Sequence, residues 1–132
     1  MPRVPAAVAA FVLATALHID AHLGRPEHEH LGLGWSYHWV ATAAVFALVG
    51  WFIARRWPEH RWRLGVAAFV GGVLIAQGIE PAAEVLIYEG RLGYNGEPER
   101  WAVFWTTMLA ATPAFFAALW LCVRRPSLAR AS

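Results

Sequence analysis

The sequence predicts an all-α integral membrane protein, an up-down four-helix bundle with both termini on the cytoplasmic side. Of its 132 residues, 58% are hydrophobic and only 15% are charged. Soluble domains have about 45–50% and 25% respectively, and a soluble domain of this size has too little interior to hide so much apolar surface. With its single cysteine, Cys122, the composition excludes a disordered chain and a disulfide scaffold, and it disfavours a soluble enzyme.

The second observation is the presence of four continuous apolar segments, at residues 4–23, 35–53, 64–88 and 101–123. Each is close to the ~20 residues that a helix needs to cross the hydrocarbon core of a bilayer. The apolar residues do not alternate with polar ones, so helices are favoured over the strands of a membrane barrel. The segments between them are short and contain turn-forming Gly, Pro and Asn, which favours antiparallel neighbours in a single domain spanning residues 1–132.

The third observation is that charge is sorted by side. All eleven basic residues are Arg, and eight of them lie near the N-terminus, in the second connection or near the C-terminus. Eight of the nine carboxylates and five of the six histidines lie on the opposite half. The positive-inside rule then predicts cytoplasmic termini in the inner (plasma) membrane, with the polar half facing the periplasm or the exterior. The net charge of +2 is an average over two unlike halves, and it does not indicate a nucleic-acid partner.

Residues 1–16 also have the features of a signal peptide. Arg3 precedes an apolar stretch, and the small residues Ala14, Thr15 and Ala16 follow it. Cleavage there would leave three spans in a chain that begins at Leu17. The apolar stretch continues past this point to residue 23, which favours an uncleaved first span.

Ionisable residues gather at one depth near the outer end of the predicted bundle. His18 and His22 are four residues apart and share a helix face. His38 lies near the start of the second span, and Glu80 and Glu84 are four apart near the outer end of the third. Because ionisable groups are costly at membrane depth, such residues are functional candidates.

A bound cation explains this gathering. Neutral imidazoles and ionised carboxylates are ligands for zinc, iron, manganese, nickel or copper(II), whereas soft sulfur ligands are scarce in this chain. The sequence therefore predicts that His18, His22, His38, Glu80 and Glu84 bind a divalent transition metal, for metal handling or sensing. The spacing matches no established metal fingerprint, neither the zincin motif nor the motif of di-iron bundles.

Supporting residues are predicted around this site. Asp20 lies about 200° around the helix from His18, so we expect it to support the site or to face the connection rather than to be a ligand. Thr42, one turn inward from His38, is expected to orient that ring. Trp105 and Met108 are expected to wall a pocket beside the site. The remaining predicted supporting or vestibule residues are Glu27, His28, Glu29, His30 and Gln77.

Other structural interpretations of these residues remain open. In the first interpretation, the histidines form hydrogen bonds within the protein and bind no metal. In another, the third transmembrane helix ends before Pro81, and Glu84 lies in the first turn of a short surface helix, where the dipole favours a negative charge. Gly71, Gly72 and Gly78 are predicted to allow close helix packing.

Three other functions fit the same residues. A metal-dependent membrane enzyme would hold two metals and act on a lipid-soluble substrate. A b-type cytochrome would bind haem b between His38 and a histidine of the first helix. An accessory subunit would use the polar layer as an assembly contact in a homo-oligomer or a larger membrane complex. Apart from the lipid bilayer, the sequence identifies no particular partner.

Overall fold

The structure is a computed structural model that describes residues 3–23, 37–87 and 98–122. These residues form four α-helices: α1 (Arg3–Leu23), α2 (Tyr37–Arg56), α3 (Arg61–Ile87) and α4 (Pro98–Leu121). Each helix begins and ends within one turn of the corresponding predicted segment. The prediction of an all-helical chain is confirmed for the described residues.

Three of these helices are long and apolar enough to cross a membrane, which indicates a membrane protein. The qualifying stretches within the described residues are Arg3–Asp20, His38–Arg56 and Phe104–Leu121. Large apolar side chains on their outer surfaces are exposed, as expected when the surrounding solvent is lipid rather than water. Residues 64–87 of the predicted span 64–88 lie in α3, but their side chains from residue 79 onward are outside the description.

Local chemistry explains where the helices start and stop. α4 begins at Pro98, whose fixed φ suits a first helical position and whose missing N–H needs no partner there. α2 ends before Pro58, with Arg55 and Arg56 in a last turn where positive charge complements the helix dipole. A tight turn then leads directly into α3, because the Leu64 amide already donates to the His60 carbonyl.

α3 continues through Pro81 to Ile87. The alternative in which the transmembrane helix ends before Pro81, so that Glu84 caps a separate surface helix, is therefore wrong. A proline inside a helix removes a single backbone donor, and neighbouring helices in a membrane bundle make that loss tolerable. α4 likewise accommodates Pro113 in its interior.

The helices pack most closely in pairs that are not consecutive in sequence: α1 lies along α3, and α2 lies along α4. Small residues make this approach possible. One row of buried residues in α2 recurs at every fourth position, at His38, Thr42, Phe46, Gly50 and Ala54. A similar row runs along α4 at Thr107, Ala111, Phe115 and Leu119. Rows spaced by four are the ridges that interdigitate when helices pack closely.

Glycines mark the points of closest approach. A Cβ added to Gly72 would meet Leu13 Cβ of α1 at 2.9 Å, and one added to Gly50 would meet the Phe115 carbonyl oxygen of α4 at 2.6 Å. By contrast, a Cβ on Gly78 would have no atom of the described chain within 4 Å, although the sequence predicted a packing role for this residue. That prediction is wrong because Gly78 lies on an exposed face of α3.

An aromatic cluster joins the two helix pairs in the middle of the molecule. Phe46 of α2 contacts Phe69 of α3 and Phe115 of α4, with ring centroids 6.2 and 6.1 Å apart. Phe116 completes the cluster 5.1 Å from Phe69. Edge-to-face and tilted arrangements of this kind stabilise beyond the area they bury. The cluster therefore sets the distance between the α1–α3 pair and the α2–α4 pair.

The molecule has two chemically different ends. At the first, called the Asp20 end, Asp20 of α1 meets residues of α2 and α4. At the second, called the Trp57 end, Val4 of α1 and Ile53 of α2 lie beside Trp57. The Asp20 end holds buried polar side chains, whereas the Trp57 end carries exposed arginines.

Candidate functional site

A buried carboxylate forms the centre of the candidate site. Asp20, in the last turn of α1, is 3% exposed and accepts three hydrogen bonds from two other helices. His38 Nδ1 lies 2.6 Å from its Oδ1, and Thr42 Oγ1 lies 3.0 Å from the same oxygen. Thr107 Oγ1 of α4 lies 2.7 Å from Oδ2. We call these four residues, from α1, α2 and α4, the Asp20 cluster.

The cluster selects one form of the His38 ring. An ionised carboxylate has only acceptor sites, so Nδ1 of His38 donates its hydrogen to Asp20. In the neutral ring Nε2 then carries the lone pair and is the nitrogen suited to act as a base or a metal ligand. The edge of the His38 ring also packs on Trp39, with centroids 5.5 Å apart. The orientation of the ring is thus determined by α1 and by its own helix together.

Hydrogen bonds to both oxygens explain how the buried carboxylate is tolerated. An ion taken out of water is strongly disfavoured unless it is paired and its remaining acceptor sites are used. Here both oxygens of Asp20 accept short bonds from buried donors. The three donors come from two helices, so the bonds also join the α1–α3 pair to the α2–α4 pair.

The structure brings His38 and Thr42 together through Asp20, an arrangement that the sequence did not predict. Thr42 was expected to orient His38 directly, but it donates to the oxygen of Asp20 that His38 also contacts. Asp20 itself turns away from the half-buried His18 and faces α2 and α4. Asp20 is therefore the common acceptor that positions both predicted α2 residues.

Three of the predicted ligands have side chains outside the described residues. His22 lies within α1, and Glu80 and Glu84 lie within α3, but their side chains fall outside the described residues. The predicted vestibule residues Glu27, His28, Glu29 and His30 lie outside the described chain altogether. Gln77 is half-buried. Among the described residues, no group of three or more His, Cys, Asp or Glu is close enough to hold a metal ion.

The predicted pocket-wall residues share a groove between α3 and α4. Trp105 and Met108 line it together with Phe69, Leu74 and Thr112, and its volume is about 530 Å³. Met108 is almost completely buried, whereas Trp105 is 60% exposed and forms the outer edge. The groove is almost entirely apolar, as expected for a surface that faces lipid chains.

Thr107 is the member of the cluster that the sequence did not predict. Its neighbours Trp105, Met108 and Thr112 form a more conspicuous stripe at helical spacing. Thr107, Ala111 and Phe115 are spaced four residues apart. This spacing indicates that Thr107 lies on the packed face of α4, together with the small and apolar residues in the same row.

Replacing Thr107 with valine tests the α4 contact. The side chain keeps its shape but no longer donates to Asp20 Oδ2, so we expect the free energy of unfolding to fall by about 1 kcal/mol. Unfolding in a titration from mild detergent into SDS, followed by far-UV circular dichroism, measures this change. Thr15→Val is the matched control, because Thr15 is exposed and bonds only within its own helix. Equal stabilities of the two variants would contradict a role for Thr107.

No family model, curated protein or solved structure matches this chain.

Proposed function

We propose that the protein crosses the inner membrane four times, with both termini in the cytoplasm, and binds a divalent transition metal at the Asp20 end. The observation that carries the proposal is the buried pair of Asp20 and His38, 2.6 Å apart through Nδ1. Metal-binding histidines almost always donate their second ring N–H to a carboxylate, a carbonyl or water. Such a partner fixes the tautomer, holds the ring orientation and raises the basicity of the ligating nitrogen.

The order of the helix contacts supports an up-down arrangement. The C-terminal part of α1 contacts the start of α2 through Asp20 and His38, whereas Val8 of α1 lies in a groove with Phe52 near the end of α2. Opposite ends of the two helices therefore meet. With the short connection between α2 and α3, these contacts favour alternating directions through the membrane.

The register of α1 on α3 supports a shared ligand set. Ala10 meets Gly71 and Gly72 where these two helices touch. In an alternating bundle α1 and α3 run in the same direction, so equal advances along them stay level. Roughly two turns beyond this contact lie His18 on α1 and Glu80 on α3, at the depth of the Asp20 cluster. Histidines of two helices and carboxylates of a third would then converge there.

The distribution of arginine supports the orientation. Arg3, Arg55, Arg56 and Arg63 are all exposed at the Trp57 end. Because cytoplasmic surfaces of membrane proteins are enriched in arginine and lysine, this end would face the cytoplasm. The Asp20 end would then open towards the periplasm or the exterior.

The chemistry of the donors indicates the class of metal. Imidazole and carboxylate donors suit zinc, iron, manganese, nickel or copper(II), and a bound dication would offset the repulsion between Glu80 and Glu84. The contribution of this chain is to hold His38 in one tautomer and to exclude lipid and water from the pair. A protein of this kind would take up, sense or pass on a metal at the outer surface.

The test is the metal content of detergent-purified protein, measured by elemental analysis. We expect about one metal per chain in the wild type and loss of metal in His38→Ala. Asp20→Asn should bind the metal about 10–100-fold more weakly, because it changes only the hydrogen-bond partner of His38. His60→Ala is the matched control, since His60 is exposed at the Trp57 end. It should retain the metal of the wild type.

Each alternative function gives a different result in the same measurement. A Soret band in the visible spectrum would replace the proposal by the b-type cytochrome, and two metals per chain would favour a metal-dependent enzyme. Metal-free wild-type protein with full helical circular dichroism would overturn the proposal. Equal metal content in the wild type and His38→Ala would also contradict it, provided that both proteins are folded.

A further inference from the structure

An apolar groove separates α1 from α2 at the Trp57 end. Its volume is about 530 Å³, and almost no polar atom lines it. Val8 and Val12 form the α1 wall, and Leu48 and Phe52 form the α2 wall. The groove exists because α1 packs closely on α3, and α2 on α4, so the facing surfaces of α1 and α2 are left apart. All four side chains that form these walls are exposed, so nothing within the described chain covers them.

The end of this groove is positively charged. Trp51 and Trp57 line it, and each ring has an arginine held over its face. The guanidinium carbon of Arg55 lies 5.5 Å from the Trp51 ring centroid, and that of Arg56 lies 5.4 Å from the Trp57 ring centroid. Cation–π contacts of this kind restrict the arginines to the mouth of the groove.

Within the described residues, no carboxylate neutralises the charge at the groove mouth. Arg3 is exposed at the start of α1, next to Val4, which lines the groove. In the described part of the chain, no carboxylate lies within ion-pair distance of Arg55 or Arg56. The adjacent turn contributes Glu59, which is exposed and does not reach these arginines. The apolar groove with its cationic end thus matches an amphiphile that has a long apolar chain and an anionic headgroup.

We infer that this groove binds one anionic phospholipid, with an acyl chain along Val8, Val12, Leu48 and Phe52 and the phosphate at Arg55 and Arg56. Residues 48–56 extend roughly 12 Å along the helix axis, enough for a substantial part of an acyl chain. Tryptophan and arginine together occupy the depth at which lipid headgroups lie. The inference does not involve the proposed metal, so the failure of either proposal leaves the other unaffected.

The primary experiment compares two lipids that have the same acyl chains and differ in the net charge of the headgroup. Detergent-purified protein is titrated with dioleoyl phosphatidylglycerol or dioleoyl phosphatidylcholine, and bound lipid is counted by native mass spectrometry. We expect one tightly retained phosphatidylglycerol per chain and weaker binding of phosphatidylcholine. Arg56→Gln should weaken phosphatidylglycerol binding about fivefold, and Arg55→Gln/Arg56→Gln by more than tenfold. Arg63→Gln is the matched control, an exposed arginine at the same end that is held over neither Trp51 nor Trp57, and it should bind as the wild type does.

A second variant tests the apolar part of the site. Val8→Trp places a large ring in the groove at a position that is 59% exposed, so the fold should be retained while both lipids bind more weakly. Equal affinities for the two lipids, together with unchanged binding in Arg55→Gln/Arg56→Gln, would overturn the inference. Unchanged binding in Val8→Trp would overturn it as well. If glycerol phosphate at equal concentration displaced phosphatidylglycerol, the site would bind phosphate without an acyl chain. That result would also contradict the inference.

Discussion

Replacing Asp20 with alanine lowers the free energy of unfolding by about 3–5 kcal/mol, because each buried donor left without its acceptor costs about 1–3 kcal/mol. Three buried donors, on His38, Thr42 and Thr107, lose their common acceptor. The missing side chain also leaves a cavity between three helices. The measurement is the SDS titration in mild detergent, with tryptophan fluorescence and far-UV circular dichroism as independent probes.

The conservative variant Asp20→Asn separates hydrogen bonding from charge. Its carbonyl oxygen can still accept from His38 and Thr42, and its amide can donate to the Thr107 hydroxyl, which rotates to accept. We therefore expect a loss of only about 1 kcal/mol, because charge-assisted bonds become neutral ones. Glu59→Ala is the control for removing a carboxylate, since Glu59 is exposed. An Asp20→Ala variant as stable as Glu59→Ala would show that the cluster does not hold the helices together.

Gly50→Ala is expected to have the second-largest effect, a destabilisation of about 1–3 kcal/mol from overpacking. The added Cβ would lie 2.6 Å from the Phe115 carbonyl oxygen and 3.3 Å from Ala118 Cβ. The first of these is a backbone atom, so the clash cannot be relieved by rotating a side chain. α2 and α4 must move apart along their closest contact, and their mutual packing is weakened. The same SDS titration reports this loss.

Gly78→Ala is the matched control for this substitution. The chemical change is identical, but the new Cβ meets no atom of the described chain within 4 Å. Alanine also has the higher helix propensity, so we expect stability to stay the same or to rise slightly. If both variants were destabilised to the same extent, the effect would come from the helix backbone in general, and the close α2–α4 contact would not be its cause.

The number and extent of the helices were predictable because they depend on local pattern. Continuous apolar runs of about twenty residues specify helices, since a chain in lipid must satisfy its own backbone hydrogen bonds. The exact ends were less predictable. α4 begins at Pro98 rather than at Trp101, because a proline is well suited to the first turn. α3 passes through Pro81, because a proline in a helix interior removes only one backbone donor.

The candidate site was predictable only in part, since residue spacing reports which residues share a face and says little about what covers that face. Spacing places Asp20 and His18 on different faces of α1. It could not show that the Asp20 face is covered by α2 and α4, so its role as the common acceptor was missed. Thr107 is separated from Asp20 by 87 positions along the chain, and no local pattern joins them.

The sequence by itself determined that this protein is suited to a lipid environment and that it is helical. The chain is highly apolar, and its charges are sorted to opposite ends. The tertiary structure decided which helices touch. Pairs α1–α3 and α2–α4 form because small residues at their interfaces let backbones approach, a property of two surfaces together that neither helix shows alone. That pairing brings Asp20 to His38 and Thr107, and it leaves α1 and α2 apart at the Trp57 end.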